Sequence, residues 1–221
     1  MEPLPAAGKT PLSRPPKNRG RYVVMEDPER VAFIRTLASV SAFIGDLETA
    51  FRTNEPDHLA QVDRVAESFR NMLDSAGHAG DVGLMISHGT RGLRECLSEL
   101  GAAVREKAGK HLTFSKGATR EFESLCRDSR VFLRTALDFL RTDNPVLLEW
   151  LDNKQKACQK TCAEYAASHA ERLIDGICDN SASIVYLDML HSFKDIHSQT
   201  LHIVRLLAGL CGIGRLNHHL L

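Results

Sequence analysis

Four side chains near the C-terminal end of the chain have types and a spacing that could support metal chemistry. Asp188, His191, Asp195 and His202 follow one another at intervals of three, four and seven residues, which places them on one face of a helix. Imidazole and carboxylate groups one turn apart suit a borderline metal such as zinc. The same pattern is also typical of a solvated polar face or of a surface that docks on a partner. The sequence favours the polar face, and we predict no metal ligands, no cofactor and no catalytic residues.

The opposite side of the same predicted helix is apolar. His197 lies at the edge of this apolar stripe, so we expect a packed histidine there rather than a ligand. A stripe of this width is typical of a helix that packs against a core. The stripe contains Tyr186, Met189, Leu190, Phe193, Ile196, Thr200, Ile203, Val204 and Leu207.

Other short motifs give no enzymatic signature. Glu55-x-x-His58 is half of a di-iron motif, but the related position further along the chain carries Asn144-x-x-Leu147. Gly8-Lys9-Thr10 lacks the upstream glycine and the preceding strand of a phosphate-binding loop. We therefore expect a protein that is not an enzyme.

Composition narrows the classes of partner. Lys and Arg total 28, as do Asp and Glu, and aromatic residues make up 6%, so nucleic acid is not an expected partner. The sequence shows neither an apolar run long enough to span a bilayer nor a secretory signal. These features predict a cytoplasmic protein. They leave open that a partner holds it at the inner face of the membrane.

The six cysteines are scattered and form no Cys-x-x-Cys pair. Cys158 and Cys162 are four residues apart, which places both on one face of a predicted helix. Scattered cysteines in a chain of 221 residues are typical of reduced core thiols.

Helical periodicity begins after a proline-rich, basic N-terminal segment. Asn54-Glu55-Pro56 and Asp143-Asn144-Pro145 place proline in the first turn of a following helix, where its missing N–H costs little. The Gly109 region is expected to end a helix, and Ser181 to cap the start of the last one. Six long helices are predicted, at 28–53, 56–76, 81–107, 116–142, 145–174 and 181–208.

An internal repeat divides these helices into two sets of three. A shift of 89 residues places Arg52-Thr53-Asn54-Glu55-Pro56 on Arg141-Thr142-Asp143-Asn144-Pro145 and Phe43 on Phe132. The predicted fold is all-α, with two tandem three-helix bundles after a disordered N-terminal tail. The predicted segments are a tail at 1–22, a first unit at 23–112, a second unit at 113–210 and a C-terminal tail at 211–221.

The second half of the chain resembles a known family. The stretches Tyr165-Ala-Ala-Ser-His-Ala-Glu-Arg-Leu173 and Ser181-Ala-Ser-Ile-Val-Tyr-Leu-Asp-Met-Leu190, followed by Lys194-Asp-Ile-His-Ser198, are similar to the PhoU-like family. The similarity is greatest to the PhoU-like cytosolic domain of bacterial sodium/phosphate cotransporters. Stand-alone members carry Glu-x-x-x-Asp pairs that hold metal clusters, whereas the matching positions here are Lys194 and Ser198.

The resemblance implies a cytosolic regulatory or binding module of phosphate transport or phosphate signalling. Such a module would dock helix faces on a phosphate transporter or its sensor protein, and a homodimer is also left open. Two alternatives remain, namely the cytosolic C-terminal part of a sodium/phosphate cotransporter polypeptide and a metal-binding helical bundle. The expected partner-binding residues are Asp188, His191, Lys194, Asp195, Ser198 and His202.

Overall fold

The computed structural model of the chain describes residues 28–54 and 81–210. In these two ranges 91% of the residues are helical and none lies in a strand, far above the helical third of an average globular protein. The all-α prediction is therefore confirmed. The five described helices are α1 (Pro28–Thr53), α2 (Asp81–Gly109), α3 (Lys116–Thr142), α4 (Pro145–Ile174) and α5 (Asn180–Leu210).

The helix ends follow the local signals in the sequence. Asn144 caps α4, where its side-chain oxygen accepts a hydrogen bond from the Val146 N–H at 3.1 Å, and Pro145 occupies the first turn. α2 ends at Gly109 as predicted. Ser181 was expected to cap the last helix, and this is wrong. The Asp179 carboxylate accepts the Ser181 N–H at 2.9 Å, so capping begins two residues earlier.

Several sequence predictions fall outside the described residues. These are the predicted helix at 56–76, the Glu55 and His58 motif, the Gly8-Lys9-Thr10 motif, Cys211 and the two tails at 1–22 and 211–221.

One continuous hydrophobic core joins all five described helices. α1 lies antiparallel to α3, because Arg30 at the start of α1 bonds the end of α3 and Phe51 at the end of α1 stacks on Phe122 near its start. α2 and α5 form the most extensive helix pairing in the described ranges. α4 packs on α3 and α5. Division of the chain at residue 112 into two units stays a prediction, since the core runs across that boundary.

Two glycines allow α2 and α5 to approach each other closely. A Cβ atom added at Gly89 would lie 2.8 Å from Cγ1 of Ile203, and one at Gly92 would lie 2.9 Å from Cδ of Gln199. The order of these contacts shows that α2 and α5 are antiparallel. No described helix combines the length and the apolar composition needed to cross a membrane.

Candidate functional site

The two faces of α5 differ as the sequence predicted. All nine residues of the predicted apolar stripe are buried, among them Phe193 and Ile196, which are fully buried. On the other side, Asp188, His191 and His202 are exposed, while Lys194, Asp195 and Ser198 are half-buried. Because the apolar face is held by the core, the polar face is presented to solvent on a rigid support.

Three of the predicted site residues form a chain of polar contacts. The Lys194 Nζ donates to His191 Nδ1 at 3.1 Å, and His191 Nε2 lies 3.0 Å from Asp195 Oδ2. A lysine ammonium can only donate, so Nδ1 must be the accepting nitrogen in this arrangement and Nε2 carries the hydrogen that faces Asp195. Cation, imidazole and carboxylate thus contact one another in the order Lys194, His191 and Asp195, within about one turn of helix.

The other three predicted residues extend this polar face in both directions. Asp188 lies one turn before His191, and Ser198 lies one turn after Lys194. His202 lies against α2, where a Cβ atom on Gly89 would be 3.4 Å from its Cδ2. We call the six residues the α5 polar face (Asp188, His191, Lys194, Asp195, Ser198 and His202).

Metal binding at the α5 polar face receives no geometric support. Within residues 28–54 and 81–210, no group of three or more His, Cys, Asp and Glu side chains is arranged to hold a metal ion. The chemistry that this face offers is hydrogen bonding and ion pairing with a partner surface, since it displays donors, acceptors and both signs of charge.

A second polar cluster, which sequence reasoning missed, lies where α3 begins, α4 ends and α5 begins. The Arg172 guanidinium makes two hydrogen bonds to the Glu121 carboxylate, at 2.8 and 2.7 Å, and the Tyr186 hydroxyl donates to the same carboxylate. The exposed fractions of the Arg172 and Glu121 side chains are 16% and 14%. The bonds to Glu121 raise the pKa of Arg172, while burial and then the Glu121 bond raise the pKa of Tyr186.

His169 completes this cluster. Its ring lies 4.6 Å from the Tyr186 ring, and its Nε2 is 2.6 Å from the Ser183 hydroxyl. Burial, and after it the Arg172 charge, lowers the pKa of His169. His169, Arg172, Ser183 and Tyr186 all belong to the two stretches that carry the family resemblance. In this structure those residues therefore form contacts between α4 and α5 at one end of the bundle.

A cavity of about 100 Å³ lies between α3 and α4, and His197 of α5 forms part of its lining. His197 is 2% exposed, stacks on Phe132 at 4.1 Å and bonds the Ser129 hydroxyl at 2.9 Å through Nε2. The prediction of a packed histidine is confirmed. The Nδ1 of His197 is buried and has no hydrogen-bond partner among the described residues, so within them only Nε2 is bonded. Burial lowers the pKa of His197 to about 3.

Four of the five described cysteines are buried, which confirms their prediction as core residues. Cys158 and Cys162 are both buried in α4, one turn apart, as predicted. Cys178, in the loop before α5, is half-buried. Burial raises the pKa of Cys96 to about 12 and also raises that of Cys126.

Comparisons with known proteins add no family assignment. The chain matches no protein-family model, and it matches no curated protein.

Proposed function

We propose that this chain is a regulatory binding module of phosphate transport or phosphate signalling. It docks the α5 polar face on a phosphate transporter or on the sensor protein that controls one. The observation that carries the docking is the ordered chain from Lys194 through His191 to Asp195 on a helix whose other face is locked in the core. The assignment to phosphate rests on the PhoU-like resemblance of the second half.

The contacts already present within the α5 polar face favour its use in recognition. Side chains that are already held in contact lose less rotamer freedom on binding than free ones, so more of the interaction energy appears as affinity. Regulation then follows if the face binds one conformation of the transporter more tightly than the other, because differential affinity shifts the equilibrium between them. On this proposal the chain acts at the cytoplasmic side of the membrane.

The proposed architecture is two tandem three-helix units, with the predicted 56–76 helix as the sixth. Two chain segments that the repeat aligns support it, namely the hinges at Asn54, after α1, and at Asp143, after α3. Asn54 and Asp143, which the 89-residue shift aligns, both adopt left-handed backbone, with φ of 60° and 53°. Their N–H groups bond the carbonyl four residues earlier, at 2.9 and 2.8 Å. Asn and Asp adopt this conformation more readily than other non-glycine residues, and the two aligned positions share it, in agreement with the repeat.

The same two hinges are also secured in the same way. Arg30 bonds the Leu140 carbonyl and the Asp143 carboxylate. Lys107 bonds the Phe51 carbonyl at 2.7 Å and the Asn54 side-chain oxygen. The 89-residue shift also aligns Phe51 with Leu140. At each hinge, therefore, one buried cationic side chain makes two contacts. It bonds the carbonyl three residues before the left-handed residue, and it bonds the side chain of the left-handed residue itself.

The described helices agree with the proposed arrangement at the end of α1. Lys107 near the end of α2 bonds the end of α1, so α1 and α2 end at the same end of the bundle. The predicted helix at 56–76, which would complete the first unit, lies outside the described residues.

Affinity capture from the native cells tests the function. The tagged chain is recovered from phosphate-replete and phosphate-starved cells, and the captured proteins are quantified by mass spectrometry. We expect a phosphate transporter or its sensor protein to be enriched, with an amount that changes with phosphate supply.

One disruptive variant and one control variant accompany this experiment. His191→Ala with Lys194→Glu disrupts the α5 polar face and should reduce capture at least tenfold. Lys160→Glu changes a charge on the exposed side of α4, where Lys160 is 80% exposed, and should leave capture unchanged. Recovery of no phosphate-related protein, or equal capture by both variants, would overturn the proposal.

A further inference from the structure

Exposed aliphatic side chains are concentrated where α4 ends and α5 begins. The described residues expose eight large hydrophobic side chains, and four of them fall between positions 174 and 187, namely Ile174, Ile177, Ile184 and Leu187. A single exposed hydrophobic residue is ordinary on a protein surface, whereas a group of them marks an interaction site. The connection between the two helices is therefore a candidate interaction surface.

These four side chains lie at one end of the bundle. The Ile177 N–H bonds the Arg172 carbonyl at 2.8 Å, so the loop folds back on the last turn of α4. His169 Nε2 lies 2.6 Å from the Ser183 hydroxyl, which places the end of α4 beside the start of α5. The two exposed aliphatic residues of α5 follow Ser183 within about one turn of helix.

Ile184 and Leu187 belong to the side of α5 that carries the α5 polar face. Ile184 lies 18 residues before His202, which is five full turns at 3.6 residues per turn, so the two side chains leave the helix in the same direction. Leu187 lies one turn before His191 on the same side. Ile184 is 71% exposed and Leu187 is 43% exposed. The proposed docking surface therefore continues into an aliphatic pair near the start of α5.

The charge carried by this stretch of the chain is negative. Residues 173–193 contain no lysine or arginine, and they contain three aspartates, Asp175, Asp179 and Asp188, all of which are exposed. The preceding cation, Arg172, is held in a largely shielded ion pair with a carboxylate of α3. The aliphatic pair is thus accompanied by negative charge that the same stretch does not neutralise.

Aliphatic groups beside aspartates select the class of partner. The aspartates would repel an anionic lipid surface, and two copies docked through the same face would bring like charges together. Cytoplasmic segments of membrane proteins, by contrast, carry an excess of lysine and arginine. A helix of that composition with one apolar side offers an apolar surface to Ile184 and Leu187 and positive charge to the aspartates.

We propose that Ile184 and Leu187, with the adjoining Asp188, anchor the docking surface of α5 on a lysine- and arginine-rich amphipathic helix at the cytoplasmic side of a membrane protein. This anchor rests on the proposed docking of the α5 polar face and adds the chemistry of the segment that it contacts. The aliphatic pair packs on the apolar side of the partner helix, and Asp188 pairs with a cation at its edge. Apolar side chains at the centre of an interface contribute more to affinity than charge pairs at its rim.

Binding of a model helix to the full chain tests this anchor. The probe is a fluorescein-labelled peptide of leucine and lysine, about 14 residues or four turns long, with leucine on one face of the helix. We expect saturable binding, measured by fluorescence anisotropy, that weakens as the salt concentration rises. The matched peptide with glutamate in place of lysine should not bind.

Variants of the full chain locate the contact. Ile184→Ser combined with Leu187→Ser should lower the affinity for the leucine–lysine peptide by about tenfold or more. Asp188→Asn should lower it by about threefold. Val146→Ser is the control and should leave the affinity unchanged, since Val146 is also aliphatic and 66% exposed but lies at the opposite end of α4. Equal affinity in the double serine variant and in the Val146 variant, or no binding by the wild-type chain, would overturn the proposal.

Three other results would assign the surface to a different occupant and so overturn the proposal. The first is co-sedimentation with phosphatidylserine vesicles that the double serine variant loses, and the second is dimerisation in analytical ultracentrifugation that the same variant loses. The third is displacement of the leucine–lysine peptide, at equal affinity, by a synthetic peptide of residues 1–22. If the peptide binds as expected but no phosphate-related protein is captured from cells, the anchor is established and only the assignment to phosphate fails.

Discussion

At the scale of single residues, Glu121 holds the end of the bundle where α3, α4 and α5 meet. Its carboxylate accepts two hydrogen bonds from Arg172 and one from Tyr186, and all three side chains are largely shielded from water. A guanidinium in such a place is stabilised by its carboxylate partner, and removal of that partner leaves a poorly solvated charge. Sequence patterns could not predict this cluster, because Glu121 and Arg172 are 51 residues apart.

Replacement of Glu121 by glutamine should lower the free energy of unfolding by about 2–3 kcal/mol, because the Arg172 charge loses its counter-ion. Chemical denaturation followed by circular dichroism measures this. Glu164→Gln is the matched control, since Glu164 is 60% exposed and its ion pair with Lys160 is loose at 3.7 Å. The control should change stability by less than about 0.5 kcal/mol. Equal effects of the two substitutions would show that the Glu121 cluster is not a stabilising one.

The buried His197 makes stability depend on pH. Its pKa lies near 3 in the folded chain because of burial, well below the 6.5 of an exposed histidine. The unfolded chain therefore takes up a proton as pH falls below 6.5, and the folded chain does not until pH approaches 3. The contribution of neutral His197 to the free energy of unfolding is fully present above pH 6.5 and is lost progressively between pH 6.5 and pH 3.

From pH 6.5 to pH 5 the wild-type chain should thus lose roughly 1–2 kcal/mol through His197. His197→Gln cannot take up a proton, so the difference in stability between wild type and this variant should shrink by that amount over the same interval. Denaturant titrations at several pH values provide the measurement. His169 contributes in the same direction in both proteins and cancels in the comparison. A difference independent of pH would refute the role of His197.

At the scale of elements, the ends of the helices were readable from the sequence because capping is local. Asn144, Pro145 and Gly109 each act through backbone groups within four residues, and the structure places all three at the predicted helix ends. The start of α5 was misplaced because both Asp179 and Ser181 can cap a helix. The choice between them depends on the loop after α4, which no local rule describes.

Adding a methyl group should lower stability where α2 packs against α5 and raise it on an open helix face. Gly89→Ala brings Cβ against the fully buried Ile203, so we expect stability to fall by about 1–2 kcal/mol despite the better helix propensity of alanine. Gly45→Ala in α1 meets nothing within 4 Å and should raise stability by about 0.5–1 kcal/mol. Thermal unfolding of both variants reports the sign of each change. Stabilisation by both would mean that α2 and α5 are less tightly packed than described.

At the scale of the whole molecule, the continuous core bears more directly than the sequence repeat on whether the two predicted units fold independently. Phe51 of α1 stacks on Phe122 of α3, so an aromatic contact crosses the boundary predicted between the two units. Arg30 of α1 also bonds the Leu140 carbonyl at the end of α3 across the same boundary. Repeated sequence therefore does not imply independent folding here.

Unfolding of the chain should accordingly be a single cooperative transition. We expect the calorimetric enthalpy to equal the van't Hoff enthalpy, as it does for domains that unfold in one step. Phe43→Ala in α1 and Phe193→Ala in α5, both in fully buried positions, should each move this one transition to lower temperature. Two resolved transitions, each shifted by only one of the substitutions, would instead establish two independent units.

By itself, the sequence determined the helical class, the limits of the described helices to within about two residues, and the two faces of α5. These features depend on periodicity and on capping within a few residues, both of which are local. The tertiary structure alone decided which helices pack together, how Glu121 meets Arg172, and that Lys194, His191 and Asp195 contact one another in a fixed order. Contacts between residues far apart in sequence depend on how whole helices are placed, and that placement is set by the packing of the entire core.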